Sequence, residues 1–121
     1  VLIMLKIDEL DTIKYLVKCI VDKIYPLRVY LFGSFAVGKN NANSDYDFYV
    51  IMPDDTPNNL YRLMAKAQVA VLSKTNRSVD ILIKKNCDFE LNKNTKFTFE
   101  NLIHEKGVLL YEQKSGMAGL D

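Results

Sequence analysis

The chain has 121 residues, 49% of them hydrophobic, with 16 basic and 15 acidic side chains and a formal net charge of +1. That length and apolar content suit one compact domain, while so even a balance of charge excludes a global field that would draw the chain onto duplex nucleic acid or an anionic membrane. Cys19 and Cys87 are too few and too far apart for a disulfide framework or a metal knuckle and read as reduced thiols.

In chain order, the apolar run Val1–Leu5 comes first and is too short for a signal h-region or a membrane span, so a cytoplasmic protein is expected. Ile13, Leu16, Val17, Ile20, Val21 and Ile24 then recur at helical spacing, which predicts an amphipathic helix over Asp8 to Tyr25, ended by Pro26. Arg28 to Phe32 is a β-branched and aromatic run closed by Gly33, a strand leading into a tight turn. After the polar stretch GKNNANS, residues Asp45 to Met52 read as a second strand, stopped by Pro53. Thr56 and Pro57 mark a helix start, continued by Leu60, Leu63, Met64, Ala67 and Val71. Ser78 to Lys84 is a third strand. A last helix carries Phe99, Leu102 and Ile103, stops at Gly107 in the C′ position, and precedes the apolar run Val108 to Tyr111. The predicted fold is α+β, a mixed sheet with helices on one face, formed by a single domain over 1–121 with a core from about residue 8 to 112 and a frayed tail at 113–121.

Strand parity sharpens this picture. Tyr46, Phe48 and Val50 share one face, while Asp45, Asp47 and Tyr49 share the other, and Asp80 separates from Val79, Ile81 and Ile83 in the same way. If these two strands are neighbours, Asp45, Asp47 and Asp80 converge on the face away from the helices. Magnesium binds through a few carboxylates, waters and substrate phosphates, and two ions about 3.5 to 4 Å apart serve phosphoryl and nucleotidyl transfer. An Asp-x-Asp spacing alone arises readily by chance. Asp80 is more telling, since a buried carboxylate amid Val79, Ile81, Leu82 and Ile83 needs a cation, either a metal or Arg28 or Lys84. Gly33 and Ser34 open a turn whose free backbone N–H groups can meet phosphate, although Ser34 read singly is an ordinary N-cap.

Taken together, Gly33-Ser34, ten further residues of which Ser44 is the last, Asp45-Tyr46-Asp47, the strand carboxylate Asp80 and the closing EKGVLLYE resemble the minimal nucleotidyltransferases of the DNA polymerase beta superfamily over roughly residues 8 to 112. The resemblance implies a polymerase beta-like palm, with Gly33 and Ser34 holding the triphosphate of a nucleotide, ATP above all, and Asp45, Asp47 and Asp80 as the catalytic carboxylates holding two Mg2+ ions that Mn2+ can replace. Many members read Gly-Ser-x-Ala-Arg-Gly. Here Phe35-Ala36-Val37-Gly38 places valine where that arginine would stand, and Lys39 is the nearby cation that can serve in its place.

At this length the chain is expected to lack the added domains that choose an acceptor in larger relatives. It therefore resembles stand-alone antitoxins that attach AMP to a tyrosine of a HEPN-type toxin. The alternative is a catalytically weakened module that acts by docking to its partner. Direct nucleic-acid binding is not expected, because no basic stripe or stacking platform is present. His104, the only histidine, falls in the last turn of a helix, where the dipole accounts for it.

Overall fold

Eight elements follow one another in the computed structural model, which describes residues 7–114. They are α1 (Ile7–Ile24), β1 (Arg28–Phe32), β2 (Tyr46–Met52), α2 (Leu60–Val71), β3 (Val79–Lys85), α3 (Asn86–Asn92), α4 (Phe99–Lys106) and β4 (Val108–Glu112). The run Val1–Leu5 and residues 115–121 of the predicted tail lie outside the described residues. Gln113 is held, since its N–H donates to Leu27 O at 2.8 Å. Among the described residues, no helix is long and apolar enough to cross a membrane.

The strands form one mixed sheet in the order β3-β2-β1-β4, with β2 and β3 parallel and the other two pairs antiparallel. Parallel neighbours need a crossover connection, and α2 supplies it between β2 and β3. Ile13, Leu16, Val17, Ile20 and Ile24 of α1 and Ala67 and Val71 of α2 pack on Val29, Leu31, Phe48, Val50, Ile81 and Ile83. These are the alternate strand positions that parity assigns to one face.

The α+β mixed sheet is the predicted one, but its second face is not bare. Tyr30, Tyr49, Ile51 and Leu82 gather around Phe89 of α3 and Ile103 of α4. The predictions missed α3 because its seven residues contain one buried anchor, Phe89, and no apolar period. Two boundaries also move. Leu60 begins α2, not Thr56, because Asn59 caps that helix by accepting from Arg62 N at 3.4 Å. Tyr49 shares a face with Asp47 as expected but lies buried beneath α4, where its hydroxyl donates to Glu100 at 2.8 Å.

Candidate active site

The site lies where the end of β1 meets the start of β2. Phe32 pairs with Asp47 across the antiparallel β1–β2 ladder, and Asp47 pairs with Asp80 across the parallel β2–β3 ladder. Residues paired in this way project to the same face, so the register alone sets two carboxylates side by side. Asp45 precedes β2 by one residue and is half-buried, as is Asp47.

The charge of this group is uncompensated. Burial pushes the Asp47 carboxyl up to about 6, and the neighbouring Asp80 carboxyl and then Asp45 push in the same direction. Among the described residues, none of the three aspartates forms a salt bridge. The expectation that Asp80 is a buried carboxylate is corrected, because Asp80 is exposed. It sits one residue into β3, near an end of the sheet, where water reaches it. Of its two anticipated protein partners, Arg28 is engaged elsewhere, bonding to Asn86 and pairing with Glu90 at 3.5 Å, and Lys84 forms no salt bridge among the described residues.

The turn after β1 closes on the same carboxylates. Gly33 has φ +75°, and a Cβ added to it would stand 2.2 Å from Asp47 Oδ2, so both its backbone and its lack of a side chain bring the turn against β2. Ser34 begins no helix, which removes the capping role. Ala36 N donates to Gly33 O at 3.1 Å, and Lys39 N donates to Ser34 O at 2.9 Å, closing a tight loop in which Phe35 and Ala36 are buried. Val37 points outward, 42% exposed. Beside it an open cleft of about 440 Å³ is lined by Phe32, Gly33, Val37, Lys39, Leu102 and Lys106.

Chemically, these residues suit a hard divalent cation. The donors are carboxylate oxygens with surplus negative charge, and one edge is open to water and substrate. Among the described residues, no three Asp, Glu, His or Cys side chains close into a cage as they stand, and Mg2+ does not require one, since it is commonly bound by one or two carboxylates together with substrate phosphates. Asp47 and Asp80 fit that demand, with Asp45 close enough for its charge to act on Asp47.

Two residues of this region were absent from the predictions. Lys106 reaches the cleft from the end of α4, and its position in the sequence predicts only a favourable helix terminus. Arg77 bonds to the loop that leads into Asp45, through tertiary contacts that no local pattern announces.

The sequence matches the family profile described as polymerase beta, nucleotidyltransferase over residues 14–116. Among curated proteins none matches the chain. The solved structures that share its fold include these three. One from Sulfolobus solfataricus, provisionally described as a nucleotidyltransferase, has a TM-score of 0.57 at 19% identity, covering 88% of this chain and 83% of the other. A toxin–antitoxin with AMP-PNP gives 0.51 at 20% identity, covering 84% and 74%. A mutant of the toxin–antitoxin MntA-HpeT gives 0.53 at 22% identity, covering 83% and 73%. At such identities the likeness is one of fold.

Proposed function

The chain belongs to the polymerase beta nucleotidyltransferase family, and from that premise we propose that it transfers a nucleoside monophosphate from ATP to an acceptor hydroxyl with the help of Mg2+. The observation that carries this reading is the side-by-side register of Asp47 and Asp80 against Gly33, carboxylates that form no salt bridge among the described residues. Bound divalent ions would supply Lewis acidity and charge neutralisation at the phosphates.

The remaining roles belong to the chain. Asp45, Asp47 and Asp80 would hold the divalent cations and so orient the triphosphate. The turn at Gly33 and Ser34 lets phosphate oxygens approach the backbone closely. Lys39 and Lys106 face the adjoining cleft and offer the positive charge that Val37 does not. Phe32, Val37 and Leu102 give the same cleft an apolar wall suited to a base or ribose, and its volume falls within the usual range for a small ligand. Asp80, exposed at the rim, meets the acceptor and takes the proton of its hydroxyl. As the acceptor oxygen bonds to the α-phosphorus, the bond from that phosphorus to the bridging oxygen breaks and pyrophosphate leaves.

For the acceptor we favour a tyrosine of a partner toxin of the HEPN type. Support comes from the resemblance of the motifs to stand-alone antitoxins and from two neighbours in fold that are toxin–antitoxin proteins, one of them with AMP-PNP, a relative of ATP. The test is label transfer from α-labelled ATP with Mg2+ into proteins of a host lysate, comparing wild type with Asp47→Asn. One labelled band that disappears with the variant supports the reading and identifies the target. Absence of label from every nucleoside triphosphate, with the partner present, would favour a module that only docks.

A further inference from the structure

Arg77 lies just ahead of β3, and its guanidinium reaches several segments at once. Nη1 donates to the carbonyl oxygens of Asn41, Ala42 and Ser44 at 3.0, 3.1 and 3.0 Å. Nε and Nη2 donate to Glu9 Oε1 of α1 at 3.4 and 3.1 Å, and the other oxygen of Glu9 accepts the Tyr46 hydroxyl. The guanidinium carbon stands 5.0 Å from the Phe35 ring centroid and 5.7 Å from that of Tyr46, whose two rings are themselves 4.9 Å apart.

These contacts fall on the carriers of the site while avoiding the site itself. Ser44 immediately precedes Asp45, and Tyr46 stands between Asp45 and Asp47. Phe35 follows Ser34, and Arg77 is three residues from Asp80. Three carbonyl oxygens converging on one point repel each other unless a donor with several N–H groups joins them. A flat guanidinium does this while lying over the faces of two rings, a combination that an ammonium cannot reproduce. With the Arg77 side chain only 20% exposed and that of Glu9 21%, solvent screens the pair less than it would a surface pair.

We propose that Arg77 is a positioning residue, setting the phosphate turn, the Asp45–Asp47 segment and the start of β3 at the mutual distances a divalent cation requires. The inference rests on the reading of the aspartates as cation ligands. A purely structural clamp would have the same contacts, and Arg28 provides the comparison. Its side-chain partner is the amide oxygen of Asn86 where Arg77 has backbone carbonyls, but like Arg77 it pairs with a glutamate, Glu90 at 3.5 Å, and lies over an aromatic ring, Phe89, at 5.4 Å. Arg28 opens β1, at the end away from Phe32 and Gly33.

The experiment is Mn2+ binding to the nucleotide-free protein, followed by electron paramagnetic resonance, with melting temperatures measured in parallel. Arg77→Gln should weaken Mn2+ binding roughly tenfold or more, the usual effect of losing a group that orients metal ligands, with Arg77→Lys in between. Arg28→Gln, melting no higher than the Arg77 variants, should bind Mn2+ like wild type. If Arg77→Gln does not fold, Arg77→Lys decides the matter by a loss of about threefold or more. Wild-type affinity in the Arg77 variants, or an equal loss in Arg28→Gln at equal melting temperature, overturns the positioning role. A wild type that takes up no Mn2+ overturns the cation reading itself and this inference with it.

Discussion

Gly33 and Asp47 are in such close approach that a single methyl group on the first would stand 2.2 Å from Oδ2 of the second. Gly33→Ala therefore meets two penalties, a side chain at φ +75° and a displaced carboxylate. The backbone term is about 1 kcal/mol and the strain of the contact adds to it, so denaturation should show a loss of about 1 to 2 kcal/mol. Because the displaced atom belongs to a proposed cation ligand, Mn2+ binding should weaken further than stability implies. Unchanged Mn2+ affinity in a folded Gly33→Ala protein would separate the turn from the carboxylate site.

Asp47→Asn is expected to raise stability while removing transfer. With the Asp47 carboxyl pushed up to about 6 by burial, Asp80 and Asp45, the folded chain holds a proton that the unfolded chain has already released between about pH 4 and 6. Stability contributed by this group is consequently present below about pH 4 and declines as pH rises toward 6. Discounted for solvent screening, the effect at pH 7 is on the order of 1 kcal/mol. In metal-free buffer Asp47→Asn should therefore melt above wild type at pH 7 and lose that advantage near pH 4, while transfer falls by about three decades or more. A lower melting temperature at pH 7 would mean that the carboxylate cluster is not under repulsion.

Gly107 separates two explanations of a glycine at a helix end. Its φ is −71°, within reach of any residue, yet a Cβ there would stand 2.5 Å from the Ile103 carbonyl oxygen, to which Gly107 N–H also donates at 2.8 Å. The predicted C′ role would make Asn a fair substitute through its tolerance of positive φ. The observed contact makes Asn as costly as Ala. Both variants should lose about 1 to 3 kcal/mol by denaturation, since the neighbour that must yield is backbone. A nearly neutral Gly107→Asn would favour the conformational explanation.

What the sequence makes legible, and what it does not, divides along the range of the interactions. The long period of α1 and the alternation in β3 are local, so those elements and their buried faces follow from them, and the adjacency of Asp47 and Asp80 follows once the strands are paired; β2 yields only one of its buried faces, since Tyr49 and Ile51 are covered on the other by α3 and α4. Asp80 misled because a flanking apolar run implies burial, whereas its place near the start of β3 leaves it exposed. The short helix α3 has no period to detect, and Cys87 N near its start is satisfied by Asp54, which is distant in sequence. Arg77 and Lys106 depend on partners brought by folding, the first on Asn41 to Ser44 and Glu9, the second on the cleft beside Gly33.

The cleft beside Gly33 leads to a prediction about charge that Val37 makes pointed. Val37 exposes an aliphatic surface there, so under the proposed reading the cations for phosphate oxygens are Lys39 and Lys106, neither of which is in a salt bridge among the described residues. Exposed lysines make screened, mobile contacts, so each of Lys39→Ala and Lys106→Ala should weaken ATP binding by about threefold to tenfold, not abolish it. The two losses should combine nearly additively, because the residues come from different elements and act as separate point charges. Adenosine carries no phosphate and should bind all forms alike, and raising salt should narrow the difference in ATP affinity between wild type and the double variant. Titration of ATP and adenosine at two ionic strengths reads all of these effects together. A double variant that binds ATP as wild type does would move the triphosphate out of this cleft, while equal losses for ATP and adenosine would show that the lysines shape the cleft instead of pairing with phosphate.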